Sequence, residues 1–426
     1  MASEVGERLK VYLNSQQVGE IERRGPDRYR FSYSEAALER QISPRAQLSA
    51  SLPLRSQVFT PSETSPFFEG LLPEGAVRVA IARSFHISEG DGFGLLRALG
   101  VDCAGAVAVL PADREPPVPR QGSLLALSDD ELAQLVQDLP RHPLGVDPAE
   151  AGVRLSLGGI QHKLVLAGGP EQGFSQPLGG APSTCLLKPE FGQYPGLVAN
   201  EAFCMKVAQS SGLRAALVKI VEIGSTPCLY VERFDRDVEA DGNVIERIHQ
   251  EDMCQALGIS PVAKYEDNGG PSVVAVIGLL RTLRGTYMAR DINDLIRAVL
   301  VNFLLGNSDA HGKNFALLYE PTMGVRLAPI YDVVSTAVYP DVTDRMAMSI
   351  GGTTEPTEVD MQAWVRLAEE CELGRGIAPI VRRQTAAVVR AVGQWRETAQ
   401  RDGWHREVID TIVEVSRGRA AQLLES

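Results

Sequence analysis

Gly306-Asn307-Ser308-Asp309-Ala310-His311-Gly312-Lys313-Asn314, followed by Tyr331-Asp332, is the stretch that decides the fold. Kinases use an Asp, an Asn five positions later and a second Asp downstream for three separate tasks. The first Asp accepts the proton of the attacking hydroxyl, the Asn holds a metal ion, and the later Asp holds metal against the phosphates. Asp309, Asn314 and Asp332 fit these tasks in order, so the stretch predicts phosphoryl transfer. The same spacing also occurs in ordinary loops and helix caps, so the flanking sequence has to support the prediction.

Length and composition are those of an ordinary globular protein. The chain has 426 residues, 44% of them hydrophobic and 23% charged, and this length predicts two or three domains. The first ten residues do not form a secretory signal, and residues 272–280 are too short to span a bilayer, so we expect a cytoplasmic protein without a membrane anchor. The net charge of −12 argues against direct nucleic-acid binding, because that affinity comes from Lys and Arg.

The cysteines and histidines give no sign of a zinc site. The six cysteines are scattered without a C-x-x-C pair, so we predict buried thiols rather than disulfides or metal ligands. The six histidines are equally dispersed and form no H-E-x-x-H frame. The only metal that we expect is one that arrives with a nucleotide.

The first hundred residues alternate as strands do. Residues 9–13 and 18–21 predict a hairpin, and residues 29–33 predict a third strand. We predict that Phe67 to Gly75, rich in Gly and Pro, forms a buried loop before a helix from Ala76 to Ser84. The proline-rich residues 111–119 end this subdomain.

Glycines and a lysine in the middle of the chain have the pattern of a nucleotide site. Gly158 and Gly159 lie between strand-like runs, where backbone amides can approach a phosphate closely, although a hairpin turn has the same pattern. Residues 183–187 predict a strand that delivers Lys188, where kinases neutralise phosphates; a surface lysine is the alternative. Residues 228–236 predict a strand that exposes backbone groups as an adenine-binding hinge does, with Asp235 placed to reach a ribose hydroxyl.

The chain is mostly helical from residue 251 onward. Apolar residues from Ile292 to Leu304 form one stripe, with Asp291 as the predicted N-cap and Gly306 as the end of the helix. The order of parts predicts an α+β, two-lobed, protein-kinase-like fold. Residues 1–120 form a β-rich N-terminal subdomain, residues 121–256 a mixed α/β nucleotide-binding lobe with the phosphate loop and hinge, and residues 257–426 an all-helical C-terminal lobe with the catalytic loop.

The chain resembles the HipA toxin kinases of bacterial toxin–antitoxin modules over nearly its whole length. The resemblance rests on six blocks in the same order: Phe67-Phe68-Glu69-Gly70-Leu71-Leu72-Pro73-Glu74, Ser156-Leu157-Gly158-Gly159-Ile160-Gln161-His162-Lys163, Val231-Glu232-Arg233-Phe234-Asp235-Arg236, Gln250-Glu251-Asp252-Met253-Cys254-Gln255, Asn307 to Asn314, and Pro329-Ile330-Tyr331-Asp332.

The resemblance implies a role for each matching residue. Asp309 is the catalytic base, Asn314 and Asp332 hold Mg²⁺, and Ser156 is the site of autophosphorylation. The residues expected to bind ATP are the phosphate loop Leu157, Gly158, Gly159, Ile160, Gln161 and Lys163, then Lys188 at the phosphates, Glu232 and Phe234 at the adenine, Asp235 at the ribose, and Arg233, His311 and Lys313 from the same motifs. The phosphate loop departs from both the G-x-G-x-x-G and the Walker patterns.

The function implied by the resemblance is a serine/threonine protein kinase that acts as a toxin. It would phosphorylate a translation enzyme, typically an aminoacyl-tRNA synthetase, to arrest growth and promote persistence. A phosphate on Ser156 would repel the nucleotide and inactivate the enzyme. The implied partner is a helix-turn-helix antitoxin of the HipB type, through which alone the chain would reach DNA.

Two other classes of protein remain open. A small-molecule phosphotransferase shares the Asp and Asn spacing, but such enzymes usually have His-Gly-Asp where this chain has Asn307-Ser308-Asp309. A non-catalytic corepressor would not need Lys188, Asp309, Asn314 and Asp332 all intact. The sequence does not identify the acceptor or the oligomeric state.

Overall fold

The computed structural model of the chain describes residues 6–25, 28–39, 47–116, 122–140, 162–192, 194–238, 244–283, 287–320, 322–374 and 376–425. Its strands are β1 (Arg8–Leu13), β2 (Gln16–Arg23), β3 (Tyr29–Tyr33), β4 (Val107–Pro111), β5 (Ser123–Ala126), β6 (Leu164–Gly169), β7 (Gly173–Leu178), β8 (Cys185–Pro189), β9 (Val218–Ile223), β10 (Thr226–Glu232), β11 (Arg236–Val238), β12 (Val244–Arg247), β13 (His249–Asp252), β14 (Ala316–Glu320) and β15 (Gly324–Leu327). Its α-helices are α1 (Glu35–Glu39), α2 (Pro61–Gly70), α3 (Gly75–Ser84), α4 (Gly92–Leu99), α5 (Asp129–Asp138), α6 (Leu197–Ser210), α7 (Met253–Leu257), α8 (Val273–Thr282), α9 (Met288–Leu305), α10 (Met361–Glu370), α11 (Ile377–Arg401) and α12 (Arg406–Glu425).

The chain forms two compact units, neither of which is continuous in sequence. The strand unit comprises Met1–Pro189, Val221–Pro261 and Leu317–Val325, and the helical unit comprises Glu190–Ile220, Val262–Ala316 and Arg326–Ser426. The strand unit contains most of what we assigned from sequence to the first two domains. The predicted boundaries at residues 120 and 256 stay predictions.

The described strands form sheets in the order β3-β2-β1-β4, β5-β7-β6-β8-β10-β9, β11-β12 and β13-β14-β15. The predicted N-terminal hairpin is confirmed, because β1 and β2 pair antiparallel and β3 joins them. In the larger sheet β8 pairs with β6 on one side and β10 on the other, which places Lys188 opposite Leu229. Strands β14 and β15 interrupt the region that we predicted to be helical.

Aromatic side chains fill the core of the strand unit. Tyr29, Phe31, Phe67, Phe68 and Phe93 are fully buried, and the rings of the first four pack in edge-on and tilted contacts.

The prediction of a loop beginning at residue 67 was wrong, because that residue lies inside α2. Thr60 and Glu63 form a capping box that begins the helix at Pro61. Burial of Phe67 and Phe68 on the aromatic core then continues the helix to Gly70.

The core of the helical unit surrounds α9. Its residues Leu295, Ala298, Leu300 and Leu304 are fully buried, and α11 and α12 pack against this helix. The predicted apolar stripe and the end of α9 at Gly306 are confirmed. Asp291 was wrongly predicted as the N-cap of this helix. Tyr287 holds that position.

The Asp291 carboxylate is buried one turn inside α9. It accepts two hydrogen bonds from Nε of Arg326 at 2.9 and 3.1 Å and one from Nη2 at 2.9 Å. The Asp291 carboxylate therefore forms an ion pair with Arg326 and does not cap the first turn of α9.

The six cysteines are buried free thiols, as predicted. Burial raises the pKa of Cys185 and Cys204 to about 12, which keeps these thiols protonated. Within the ranges described, no helix combines the length and the apolar character that crossing a bilayer requires.

Candidate active site

The catalytic loop begins where α9 ends. Gly306 has φ 75° and its amide donates to the carbonyls of Asn302 and Phe303. A Cβ at this position would lie 2.9 Å from side-chain carbons of Ala337 and Val415. Both the left-handed backbone and the crowding require glycine here, so the chain leaves the helix at a fixed point.

Two side-chain amides and a hydroxyl fix the loop behind Asp309. Asn307 donates to the Asn302 amide oxygen at 2.7 Å, and its own amide oxygen accepts from the Asp309 backbone N–H at 3.1 Å. The Ser308 hydroxyl donates to the carbonyl of Asp344 at 2.9 Å. Because these groups are buried, the loop that carries Asp309 is rigidly held.

Asp309 itself is partly exposed and has a partner that we did not predict from sequence. The Tyr265 hydroxyl donates to its Oδ1 at 2.6 Å. Further along, the His311 amide donates to the Asp309 carbonyl and the Asn314 amide to the His311 carbonyl, at 2.8 and 2.9 Å. These bonds bring Asp309 and Asn314 onto one tight turn.

The second predicted metal ligand lies beside the first. The Nδ2 group of Asn314 donates to Oδ2 of Asp332 across 3.4 Å, and the Tyr331 hydroxyl donates to the Lys313 carbonyl at 2.7 Å. Asp332 has φ 60°, a left-handed conformation that costs energy for a residue with a Cβ and is concentrated at functional sites.

The segment that follows Asp332 is fastened to α6. The Asn200 side chain donates to the Ser335 carbonyl at 2.9 Å and accepts from the Ser335 amide at 2.8 Å. This reciprocal pair is buried. It limits how far the chain carrying Asp332 can shift.

The donor set fits a magnesium ion of the kind that accompanies a nucleotide. The Oδ1 atom of Asn314 is buried and accepts no hydrogen bond from any residue that the structure describes. A buried acceptor left unpaired is costly unless a donor or cation meets it. Amide and carboxylate oxygens are ligands that Mg²⁺ prefers, and Mg²⁺ bound through one or two side chains completes its shell with water and phosphate. Elsewhere in the part of the chain that the structure describes, no three or more His, Cys, Asp or Glu side chains are grouped so that they could hold a metal ion.

Of the predicted nucleotide-binding residues, His311 and Lys313 lie in the helical unit, and the other described ones lie in the strand unit. Lys188 is 7% exposed on β8, Lys163 is 8% exposed just before β6, and Glu232 is exposed at the end of β10. The Arg233 amide donates to the carbonyl of Thr184 at 2.9 Å. Ser156 and the loop residues Leu157 to Gln161 lie outside the described residues.

Asp235, predicted at the ribose, lies in a buried ion cluster. Its carboxylate accepts from Nε and Nη2 of Arg233 at 2.9 and 2.7 Å, from the Gly105 amide at 2.7 Å and from the Gln250 amide at 3.1 Å. Burial acts to raise the pKa of this carboxyl, but the guanidiniums of Arg233 and Arg236 outweigh burial and hold the pKa well below its usual range.

Asp102 is the second carboxylate of this cluster. Its Oδ1 accepts from Arg236 at 2.8 Å and lies 3.4 Å from Arg247. Burial opposes ionisation of Asp102, yet the surrounding guanidiniums lower its pKa to about 2. Two carboxylates and three guanidiniums therefore share one buried site. The oxygens of Asp235 are engaged by protein donors.

The profile of the HipA-like C-terminal domain matches residues 155–395, and that of the HipA N-terminal domain matches residues 9–110. The chain belongs to the HipA family. The resemblance carried by the six sequence blocks is thus confirmed, and with it the kinase-like fold and the assignment as a protein kinase.

Relatives of this HipA-family chain are kinases by name. It is 40% identical to "Putative kinase Y4mE" of Sinorhizobium fredii over 392 residues. The match covers 91% of this chain and 90% of that protein. It is 34% identical over 325 residues to the serine/threonine-protein kinase toxin HipA of Shewanella oneidensis, covering 73% and 72% of the two chains. A solved structure of the Shewanella oneidensis HipA, HipB and operator DNA complex contains a chain that matches with a TM-score of 0.81 at 27% identity, over 98% of this chain and 97% of that one.

Proposed function

We propose that this chain is an ATP- and Mg²⁺-dependent serine/threonine protein kinase with Asp309 as its catalytic base and Asn314 and Asp332 as its metal ligands. The observation that carries the proposal is the buried, unpaired Oδ1 of Asn314, which lies on the same tight turn as Asp309 and beside the Asp332 carboxylate.

The residues of the helical unit would divide the chemistry as follows. Asp309 would accept the proton of the attacking hydroxyl. Its amide donates to Asn307 and its carboxylate accepts from Tyr265, and these bonds would hold its backbone and side chain in place. Bound ATP supplies the phosphoryl group, and Mg²⁺ supplies positive charge against the phosphates. The reciprocal bonds between Asn200 and Ser335 would keep Asp332 at a fixed distance from Asn314.

In the strand unit we propose that Lys188 contacts the phosphates and that backbone groups of Glu232 and Phe234 bind the adenine. The proposed nucleotide set also includes the phosphate loop from Leu157 to Lys163 and Arg233, together with His311 and Lys313 of the helical unit. Asp235 supports this set indirectly, because its carboxylate is used by Arg233 and Gly105. It would fix the hinge strand rather than bind the ribose.

Family membership and the toxin relative support a further proposal about the cell. We propose that the chain arrests growth and promotes persistence by phosphorylating a cytoplasmic translation enzyme, such as an aminoacyl-tRNA synthetase, and that autophosphorylation at Ser156 inactivates it. The solved Shewanella oneidensis complex supports a helix-turn-helix antitoxin of the HipB type as partner. With a net charge of −12 here, the antitoxin would supply the positive charge for DNA.

The test is incorporation of label from γ-³²P-ATP with Mg²⁺, first by the chain alone and then in a bacterial lysate. Wild type is compared with Asp309→Asn, which keeps the shape of the side chain and removes the base. The control is Asp402→Asn, the same change at an exposed acid after α11. We expect label on Ser156 and on one lysate protein in wild type and control, and none in Asp309→Asn.

Equal labelling by wild type and Asp309→Asn would refute the role of Asp309. An absence of label in both experiments, with ATP still bound, would instead point to a corepressor or to a small-molecule acceptor.

A further inference from the structure

The bond from Tyr265 to Asp309 joins a tyrosine that no motif predicted to the proposed catalytic base. The hydroxyl donates to Oδ1 across 2.6 Å. This is the length typical of a hydroxyl bonded to an ionised carboxylate, about 2.5–2.7 Å, which is a strong charge-assisted bond. This bond uses one of the two carboxylate oxygens, so within the described part of the chain Oδ2 is the oxygen left for an acceptor hydroxyl.

The backbone on both sides of Tyr265 is fastened to the helical unit. The Lys264 carbonyl accepts from the Gly312 amide at 3.2 Å, and the Glu266 amide donates to the Ala347 carbonyl at 3.0 Å. The Glu266 carboxylate accepts from the amide and the hydroxyl of Ser349 at 2.6 and 2.8 Å. Tyr265 is therefore placed by its neighbours and does not depend on Asp309 for its position.

The ring of Tyr265 is held as firmly as its backbone. It meets the His311 ring edge-on, with centroids 5.2 Å apart and planes at 83°, and the Lys264 ammonium lies 5.7 Å from its centroid. Because aromatic contacts of this kind fix the ring, the hydroxyl points at Asp309 from a preset position.

We propose that Tyr265 is a positioning residue that fixes the Asp309 carboxylate with Oδ2 turned toward the acceptor hydroxyl. This inference rests on the proposed function, in which Asp309 is the base. In the transfer, the acceptor oxygen forms a bond to the γ-phosphorus, the bond between that phosphorus and the bridging oxygen of ATP breaks, and ADP leaves with the electron pair. The acceptor proton goes to Oδ2 of Asp309. Tyr265 keeps its own proton throughout, since a phenol is in general a much weaker acid than a carboxylic acid.

The test is Tyr265→Phe, which keeps the ring and its contacts and removes only the hydroxyl. We expect the maximal rate of label transfer from γ-³²P-ATP to fall about tenfold, as befits the loss of one charge-assisted bond, while the ATP concentration at half-maximal rate stays within about twofold. The control is Tyr287→Phe, the same deletion at the N-cap of α9. That tyrosine lies about 27 Å from the catalytic loop by the length of the helix, and its variant should match wild type.

A second readout does not depend on activity. The urea unfolding midpoints of wild type, Tyr265→Phe, Asp309→Ala and the double variant form a cycle that measures the bond. Removing the hydroxyl should lower the midpoint in the wild-type background and have little effect once Asp309 is replaced. Equal effects of Tyr265→Phe in both backgrounds would overturn the inference.

The outcomes separate this inference from the proposed function. If Asp309→Asn abolishes transfer but Tyr265→Phe transfers label at the wild-type rate, Asp309 stands as the base and the role of Tyr265 is refuted. A faster rate in Tyr265→Phe would also refute it, because the hydroxyl would then compete with the acceptor. If Asp309→Asn transfers label like wild type, the proposed function fails and the inference fails with it.

Discussion

Replacing Asp235 with Asn tests whether the buried ion cluster stabilises the strand unit. The carboxylate is 2% exposed, it bonds Arg233 at 2.7 Å, and Arg236 lies 3.0 Å away. Asparagine keeps the shape but leaves Asp102 as the one carboxylate that the described cluster offers to three guanidiniums. Removing one partner of a buried ion pair costs about 3–5 kcal/mol, because the remaining charge is uncompensated. We expect a loss of that size.

The assay is urea unfolding at pH 7 followed by far-UV circular dichroism. Fluorescence would miss the strand unit, because the three tryptophans, at 364, 395 and 404, lie in the helical unit. The matched control is Asp237→Asn, an exposed acid on β11, which should change the free energy of unfolding by about 0.5 kcal/mol or less.

The pH dependence follows from the lowered pKa of both cluster carboxyls. Each contributes stability above its unfolded pKa, about 3.9, and loses it as pH falls through the folded value. The difference between wild type and Asp235→Asn should therefore shrink below about pH 4. The reasoning would be refuted if Asp235→Asn unfolded like Asp237→Asn at pH 7 while ATP affinity fell tenfold, because the carboxylate would then be a ribose ligand.

Three further changes give measurable outcomes. Burial raises the pKa of Glu251 to about 7. Because the carboxyl pKa is raised on folding, the contribution of Glu251 to stability is full below about pH 4.5 and is lost as the pH rises through 7, by about 3 kcal/mol. Glu251→Gln should therefore flatten the decline of the urea midpoint between pH 5 and 8. Gly306→Ala should destabilise the protein by more than about 1 kcal/mol in thermal unfolding. The control is Gly403→Ala, since Gly403 has a similar φ of 71° but no atoms near the position of an added Cβ. Equal losses in the two variants would mean that the atoms around Gly306 do not add to the cost of the left-handed backbone. Asn200→Ala removes both side-chain bonds to the backbone of Ser335 and should lower the free energy of unfolding by about 2–3 kcal/mol. The maximal transfer rate should fall as well, and an unchanged rate would show that this tether does not position Asp332.

The parts of the fold that follow local rules could be predicted from sequence. Alternation over residues 9–13 and 18–21 predicts the hairpin, and Ser128 and Glu131 have the spacing of the capping box with which α5 begins. Gly306 marks the end of α9 because only a left-handed residue fits the turn. Asp309, Asn314 and Asp332 were recognisable as a candidate site because Asp309 and Asn314 lie in one loop and Asp332 follows 18 positions later.

The parts that depend on distant contacts could not be predicted. Asp291 has the residue type of an N-cap, but it pairs with Arg326, 35 positions away. Residues 67–70 continue a helix because the aromatic core buries them, which the glycines and prolines nearby conceal. Tyr265 reaches Asp309 across 44 positions. No periodicity or motif marks that tyrosine, and only coordinates could reveal it.

The ion cluster also has a consequence for how the chain is synthesised. Asp102 and Arg236 are 134 positions apart, so at translation rates of about 5–20 residues per second the acid leaves the ribosome on the order of ten seconds before its partner. During that interval burial of Asp102 would carry the full cost of an isolated charge. We therefore expect Asp102 to stay hydrated until Arg236 emerges, which makes a fragment that ends shortly after Asp102 a poor candidate for folding alone.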